Sequence, residues 1–249
     1  SRWASSLEAR LAHTPAIPSL QVELALARVA QGRLMEAERL VDQALVLWPC
    51  HITALVVSAR VALARGATEL AIRRFDAAEG CGKRSLGRRA LALRVTAHLK
   101  LANERLSDGG LAGVMDLLER AEPWARVGDV AQRQALGDAA DVAADVALRQ
   151  GARDIAERAL RIALERPPDA DRVTRQRGQL KVLLGEREEG SEQLAQWAGA
   201  HRSRWDEVAQ FYQALQETEL ALVARRQATA QVGADAETWQ ALARAALAL

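Results

Sequence analysis

The sequence has few aromatic residues, 4% of 249 positions, and strand-forming material is scarce, so a sheet-based core is not indicated. It lacks converging metal or acid–base chemistry: His13, His51, His98 and His201 are scattered, with no ligand spacing between them. No glycine-rich phosphate loop follows a strand, and no G-x-S-x-G elbow occurs. Catalytic residues, metal sites and cofactors are therefore all expected to be none, and the chain is not expected to be an enzyme. No apolar run reaches the ~18 residues of a membrane span, so direct membrane insertion of this region is not expected. Net charge is also low, +2 with 27% charged residues, which gives no global field to draw nucleic acid or anionic surfaces. The two cysteines, Cys50 and Cys81, show neither metal nor redox spacing and leave the compartment open.

What is abundant is Ala, Leu, Arg, Glu and Gln, straight-chain or small residues that lose little rotamer freedom in a helix. A period is visible as well. Gly32 and Gly66 are 34 apart, as are Gly151 and Gly185, and Trp205 and Trp239; at the same offset Ala37 matches Ala71, Val41 matches Phe75 and Ala44 matches Ala78. Two amphipathic segments around a central glycine predict a helix, a tight turn and a second helix, because glycine tolerates the left-handed backbone that stops the first.

Leu24, Ala25, Gly32, Ala37, Val41, Ala44 and Pro49, and again Ala144, Gly151, Ala156, Leu160, Ala163 and Pro168, resemble the tetratricopeptide repeat of bacterial proteins. The resemblance implies an all-α, tetratricopeptide-type helix-turn-helix solenoid with a right-handed superhelical path. A single solenoid over 1–249 is expected, excised from a longer array. Residues 1–15, with Trp3, Leu7 and Leu11 on one face, form the second helix of a preceding repeat. Repeats then occupy 18–51, 52–84, 85–126 (longer and irregular), 127–170 (with a long first helix), 171–201 and 202–234, and 235–249 form a terminal helix. The spacing from Gly66 to Gly151 leaves Gly109-Gly110 as the intervening turn and predicts lengthened first helices near 86–106 and 128–150. Gln216 stands where a turn glycine is expected, and Arg225 where an apolar residue is expected. Gly190 and Trp197 read as a compensating exchange of volume.

Cys50 and Cys81 fall at the ends of successive second helices. They are expected to be free, partly buried thiols, because helix axes about 8–10 Å apart rarely meet disulfide geometry. Lys83, Arg84, Arg88, Arg89 and Arg94 form the densest basic run and read as a solvated helix end.

In the resembling family the first helices line a concave groove. Mapping its positions gives Val22, Leu26, Val29, Thr53, Val56, Arg60 and Leu63 at one end, which is apolar. Asp138, Asp141, Asp145 and Leu148 follow, then Arg172, Arg175, Gln179 and Val182, then Ser203, Asp206, Gln210 and Gln213. The candidate partner-binding groove is Asp138, Asp141, Asp145, Arg172, Arg175, Gln179, Asp206 and Gln210. The Asp and Arg rows have two readings, an internal ladder, which is favoured, or a strip that grips a partner. The strip reading expects lysine at 141 and 145 to weaken capture without changing the melting temperature.

The expected function is a non-catalytic protein–protein interaction scaffold whose partner is another protein, folded or extended. Nucleic acid is not expected, and a homo-oligomer is compatible. Alanine- and arginine-rich repeats are similar to the periplasmic tetratricopeptide regions of bacterial exopolysaccharide export proteins, which implies a periplasmic envelope assembly. The alternative is a cytoplasmic regulatory or substrate-recruiting domain attached to an enzyme.

Overall fold

The computed structural model describes residues 2–14, 16–82, 86–165, 170–199 and 201–230. Among them are thirteen helices: α1 (Arg2–His13), α2 (Pro18–Ala30), α3 (Leu34–Leu47), α4 (Ile52–Ala64), α5 (Thr68–Gly80), α6 (Arg88–Ser107), α7 (Val114–Arg126), α8 (Val130–Arg149), α9 (Arg153–Leu164), α10 (Ala170–Leu183), α11 (Arg187–Ala198), α12 (Arg202–Ala214) and α13 (Thr218–Ala230). No strand occurs among the described residues. The expected terminal helix, with Trp239, lies outside them, as do Lys83, Arg84 and Pro168.

One turn geometry is used six times. Gly32, Gly66, Gly109, Gly151 and Gly185 all have φ between 70° and 90°, the left-handed conformation in which a Cβ is costly. In each case the next residue donates its N–H to the carbonyl five residues back: Arg33 to Arg28, Ala67 to Ala62, Gly110 to Arg105, Ala152 to Ala147 and Glu186 to Lys181, all at 2.9 Å. This is the Schellman arrangement, which satisfies carbonyls left open at a helix end. Gln216 takes the sixth position at φ 63°, and Glu217 bonds to Tyr212 at the same 2.9 Å. A side chain there costs about 1–2 kcal/mol relative to a relaxed backbone.

Helices joined by these turns pack as hairpins through alanine. Ala25, Ala37, Ala59, Ala71, Ala156, Ala163, Ala209 and Ala221 are fully buried, so the axes approach closely and Leu, Val and Phe neighbours fill the remaining space. The lengthened first helices are α6 and α8, of 20 residues each. The chain divides into two compact units, one of residues 1–101 and 120–132, the other of 102–119 and 133–249. In the first, Ala4 and Leu7 of α1 join a core with Leu24, Val41, Ala44 and Val57. Trp3, expected on that buried face, is exposed instead, because Ala4 occupies the inward position. In the second unit the core runs through Ala147, Leu194, Val208, Phe211 and Tyr212.

Two sequence expectations are corrected in these cores. Cys50 and Cys81 form a disulfide, with Cα atoms 5.2 Å apart. The axis spacing was the wrong ruler: Cys50 lies in the turn after α3 and Cys81 caps α5, and chain ends leaving neighbouring helices come closer than the axes do. Gly190 is matched by Gly178 and Val182, not by Trp197. A Cβ on Gly190 would lie 2.8 Å from the Gly178 carbonyl oxygen and 2.7 Å from Val182 Cγ2. Trp197 is half-buried with Arg204 over its ring, the guanidinium carbon 5.3 Å from the centroid.

The basic run also divides. Arg88 and Arg89 are exposed, but Arg94 is 2% exposed. It donates to Asp76 at 2.6 Å and Glu79 at 2.8 Å and stacks on Trp124 at 3.7 Å. The carboxylates come from α5 and the indole from α7, so a buried cation is compensated by groups far away in sequence. Beneath it His98 is fully buried. Its Nδ1 lies 2.9 Å from the Arg94 carbonyl, which can only accept, so Nδ1 carries the hydrogen and Nε2 has no hydrogen-bond partner.

Burial is the main cause that holds the His98 value below the usual 6.5; the Arg94 hydrogen bond raises it, Arg94 and Arg120 lower it by charge, and Asp76 raises it. The folded value is thus below the unfolded one, so the unfolded chain takes the proton first and stability is lost as pH falls from about 6.5 through the folded value. His98→Phe, which keeps a ring against Trp124, is expected to remove that slope. Melting between pH 7.5 and 5.5 should decline for the parent and decline less for the variant.

Candidate functional site

Three first helices of the second unit, α8, α10 and α12, are joined by pairs about one period apart. Arg172 donates to Asp138 at 2.5 Å and Arg175 to Asp141 at 2.6 Å, each across 34 residues. Arg204 reaches Asp171 at 2.7 Å across 33, and Arg175 also reaches Glu207 at 3.3 Å across 32. Equivalent positions on neighbouring helices face one another, so the period in the sequence becomes a rung in space.

The rungs are unequal. Asp138 and Arg172 are about half exposed, and such a pair contributes only ~0–1 kcal/mol. Asp141 and Arg175 have side chains 11% and 15% exposed, and Asp141 also accepts from Gln176 at 2.9 Å. Burial alone would lower the Arg175 value, but Asp141, Asp145 and Glu207 outweigh it and raise it, so the guanidinium stays charged. Asp141 is therefore an internal ladder residue. The expectation that lysine there leaves the melting temperature unchanged is replaced, because a buried cation would lose its best-placed counter-charge.

The third rung is open. Asp145 is followed at 34 residues by Gln179, not by an arginine, and then by Gln210. Among the described residues no group donates a hydrogen bond to the half-buried Asp145 carboxylate. Gln179 is 6% exposed and its Oε1 is buried without a partner. The Asp145 value is raised above the usual 3.8, first by burial; Arg175 pulls it down, Asp141 pushes it up, Arg149 pulls it down and Glu207 pushes it up.

At this rung lies a cavity of about 190 Å³. Asp145, Leu148 and Arg149 of α8 form one side, Arg175 and Gln179 of α10 the floor, and Glu207, Gln210, Phe211 and Ala214 of α12 the other side. Of the eight candidate residues, Asp145, Arg175, Gln179 and Gln210 meet here, Asp141 stands behind Arg175, and Asp138 and Arg172 pair beyond it. Asp206 is half-buried and does not line the cavity; Glu207 takes that role. Five residues separate α9 from α10 but three separate α11 from α12. The step from Arg175 to its partner on α12 is accordingly 32 residues and not 34, and the contributing face turns by one position. That difference in linker length is the signal that would have found Glu207.

Among the described residues no group of three or more His, Cys, Asp or Glu side chains is arranged to hold a metal ion, and no helix is long and apolar enough to cross a membrane. No protein-family model matches the sequence. No curated protein sequence matches it either.

Solved structures do resemble it. Naa15/Naa10 bound to HypK-THB overlays on 99% of this chain with a TM-score of 0.63 at 17% identity, and this chain spans 36% of the length of that one. YrrB, described as a TPR protein with an unusual peptide-binding site, is 17% identical with a TM-score of 0.48, covering 90% of this chain and 99% of its own. A tetratricopeptide repeat protein from Parabacteroides merdae is 18% identical with a TM-score of 0.43, covering 98% and 91%. The fold is that of a tetratricopeptide-type solenoid. At these identities the likeness concerns the fold, and the chemistry of the groove rests on this chain's own residues.

Proposed function

We propose that the chain is a non-catalytic protein-interaction scaffold that docks a segment of another protein along α8, α10 and α12, as the tetratricopeptide region of a periplasmic envelope assembly such as an exopolysaccharide secretion machine. The observation that carries the docking surface is the open rung: buried Gln179 Oε1 and Arg175 Nε left without hydrogen-bond partners, beside a cavity, on the helices that face one another at the repeat period.

The Cys50–Cys81 disulfide supports the compartment, since such bonds persist in oxidising environments and are rare in the cytosol. It closes a loop of 31 residues, for which the chain-entropy model gives stabilisation of about 3–4 kcal/mol. The composition adds the resemblance to exopolysaccharide export proteins.

The test is site-specific photo-crosslinking in the source cell. A photoreactive side chain at Gln210, exposed beside the cavity, should give a discrete adduct with another protein. The same group at exposed Arg226 on α13 should not. Adducts from Arg226 alone, or from neither position, would remove the reading.

A further inference from the structure

The three carboxylates around the open rung, Asp141, Asp145 and Glu207, face two guanidinium groups, Arg149 and Arg175. Three against two leaves one negative charge without a counter-charge. Arg175 is committed to Asp141 and Glu207, and Asp145, on which Arg149 acts through charge without a hydrogen bond, is the carboxylate with no direct partner among the described residues. Gln179 Oε1 is a buried acceptor without a hydrogen-bond partner, and Arg175 Nε is a buried donor without one. The excess of negative charge favours a ligand that brings donors and one positive charge over a carboxylate or phosphate group.

Size narrows the choice. At the ~30 Å³ that a water-sized group occupies, the cavity holds about six such groups. The four methylenes and ammonium of lysine need five, so a lysine side chain fits within it. The walls match that split, since Leu148 and Phe211 are apolar while Asp145, Gln179 and Gln210 are polar. Long cationic side chains bury their stems on such surface and keep the charged head among oxygens.

We propose that the open rung is a lysine seat: an extended partner segment places one lysine between α8 and α12, its ammonium on Asp145 and Gln179 and its stem along Leu148 and Phe211. This deepens the docking reading and rests on it. The raised Asp145 value agrees, because an incoming ammonium relieves the cost of a half-buried, unpaired carboxylate. A free diamine shares the ammonium chemistry, and the experiment separates the two sources.

Calorimetric titration of the whole chain with the capped pentapeptide Ala-Ala-Lys-Ala-Ala, its norleucine counterpart and 1,5-diaminopentane reads the proposal. The lysine peptide should bind, and norleucine should weaken binding about tenfold or more through loss of a charge-assisted contact. Asp145→Asn should weaken the lysine peptide similarly, leave the norleucine peptide unchanged and melt no lower than the parent. Gln179→Met supplies a second, independent variant with the same expected loss.

Failure of the lysine peptide to bind, equal binding of the norleucine peptide, or unchanged affinity in both variants would overturn the seat. Diamine binding as tight as the peptide would assign the cavity to a small polyamine and overturn the segment. A melting temperature of Asp145→Asn well below the parent would make the residue a structural rung, which also overturns it. If Gln210 still crosslinks to a partner when lysine preference is absent, docking stands and only the seat falls; if both fail, both fall.

Discussion

Asp141→Ala is expected to lower the stability of the second unit by about 3 kcal/mol, the low end of the cost of breaking a buried ion pair. The low end applies because Arg175 keeps Glu207, whose side chain is half exposed and 3.3 Å away. Gln176 also loses the acceptor for its amide at 2.9 Å. Amide exchange should accelerate in α8, α10 and α12 while α2 and α4 of the other unit keep their protection. A side chain whose job was only to grip a partner would leave all these rates unchanged. Asp145, one turn further along the same helix, is the internal control, since its carboxylate has no ion pair to lose.

That contrast between two aspartates shows what the sequence could and could not carry. Glycines at a fixed interval were legible because a left-handed turn restricts which residue stands there, and Gln216 was legible as a departure from that interval. Asp141, Asp145, Arg175, Gln179 and Gln210 were placed on one surface by the groove positions of the family that the repeat resembles. Which of them was closed into a rung depended on distances the period does not contain. Glu207 replaced Asp206 because the linker before α12 is two residues shorter.

Arg94 read as part of a solvated basic run, since nothing local announces that Asp76, Glu79 and Trp124 converge on it from two other helices. Cys50 and Cys81 were placed at neighbouring helix ends, but the spacing of axes overstates the gap between chain segments that have left their helices. In each miss the deciding partner came from another helix, or from the length of a linker, and not from the residue's own segment.

Gly190→Ala is expected to destabilise the second unit by about 2–3 kcal/mol, at the upper end of overpacking costs. An added Cβ would sit 2.8 Å from both the Gly178 carbonyl oxygen and the Val182 amide nitrogen, and 2.7 Å from Val182 Cγ2. Two of these are backbone atoms, so relief requires α10 and α11 to separate. The gain of up to about 1 kcal/mol from alanine's helix propensity does not offset that. Gly178→Ala should cost less, because its Cβ meets one backbone atom, the Gly190 carbonyl oxygen at 3.0 Å, and its closest contact is the Leu194 side chain at 2.8 Å, whereas Gly190 meets two backbone atoms at 2.8 Å. Urea unfolding of both variants checks the order; equal midpoints would mean that the two helices are not in glycine-to-glycine contact.

The open rung itself is most directly tested by following carboxyl carbon shifts of Asp141 and Asp145 with pH by NMR, with and without the lysine pentapeptide. In the free protein Asp145 should titrate above the usual 3.8, and the peptide should bring its midpoint back down. An Asp145 midpoint at or below 3.8 in the free protein, or one that saturating peptide leaves in place, would show that the third rung is already closed and holds no seat.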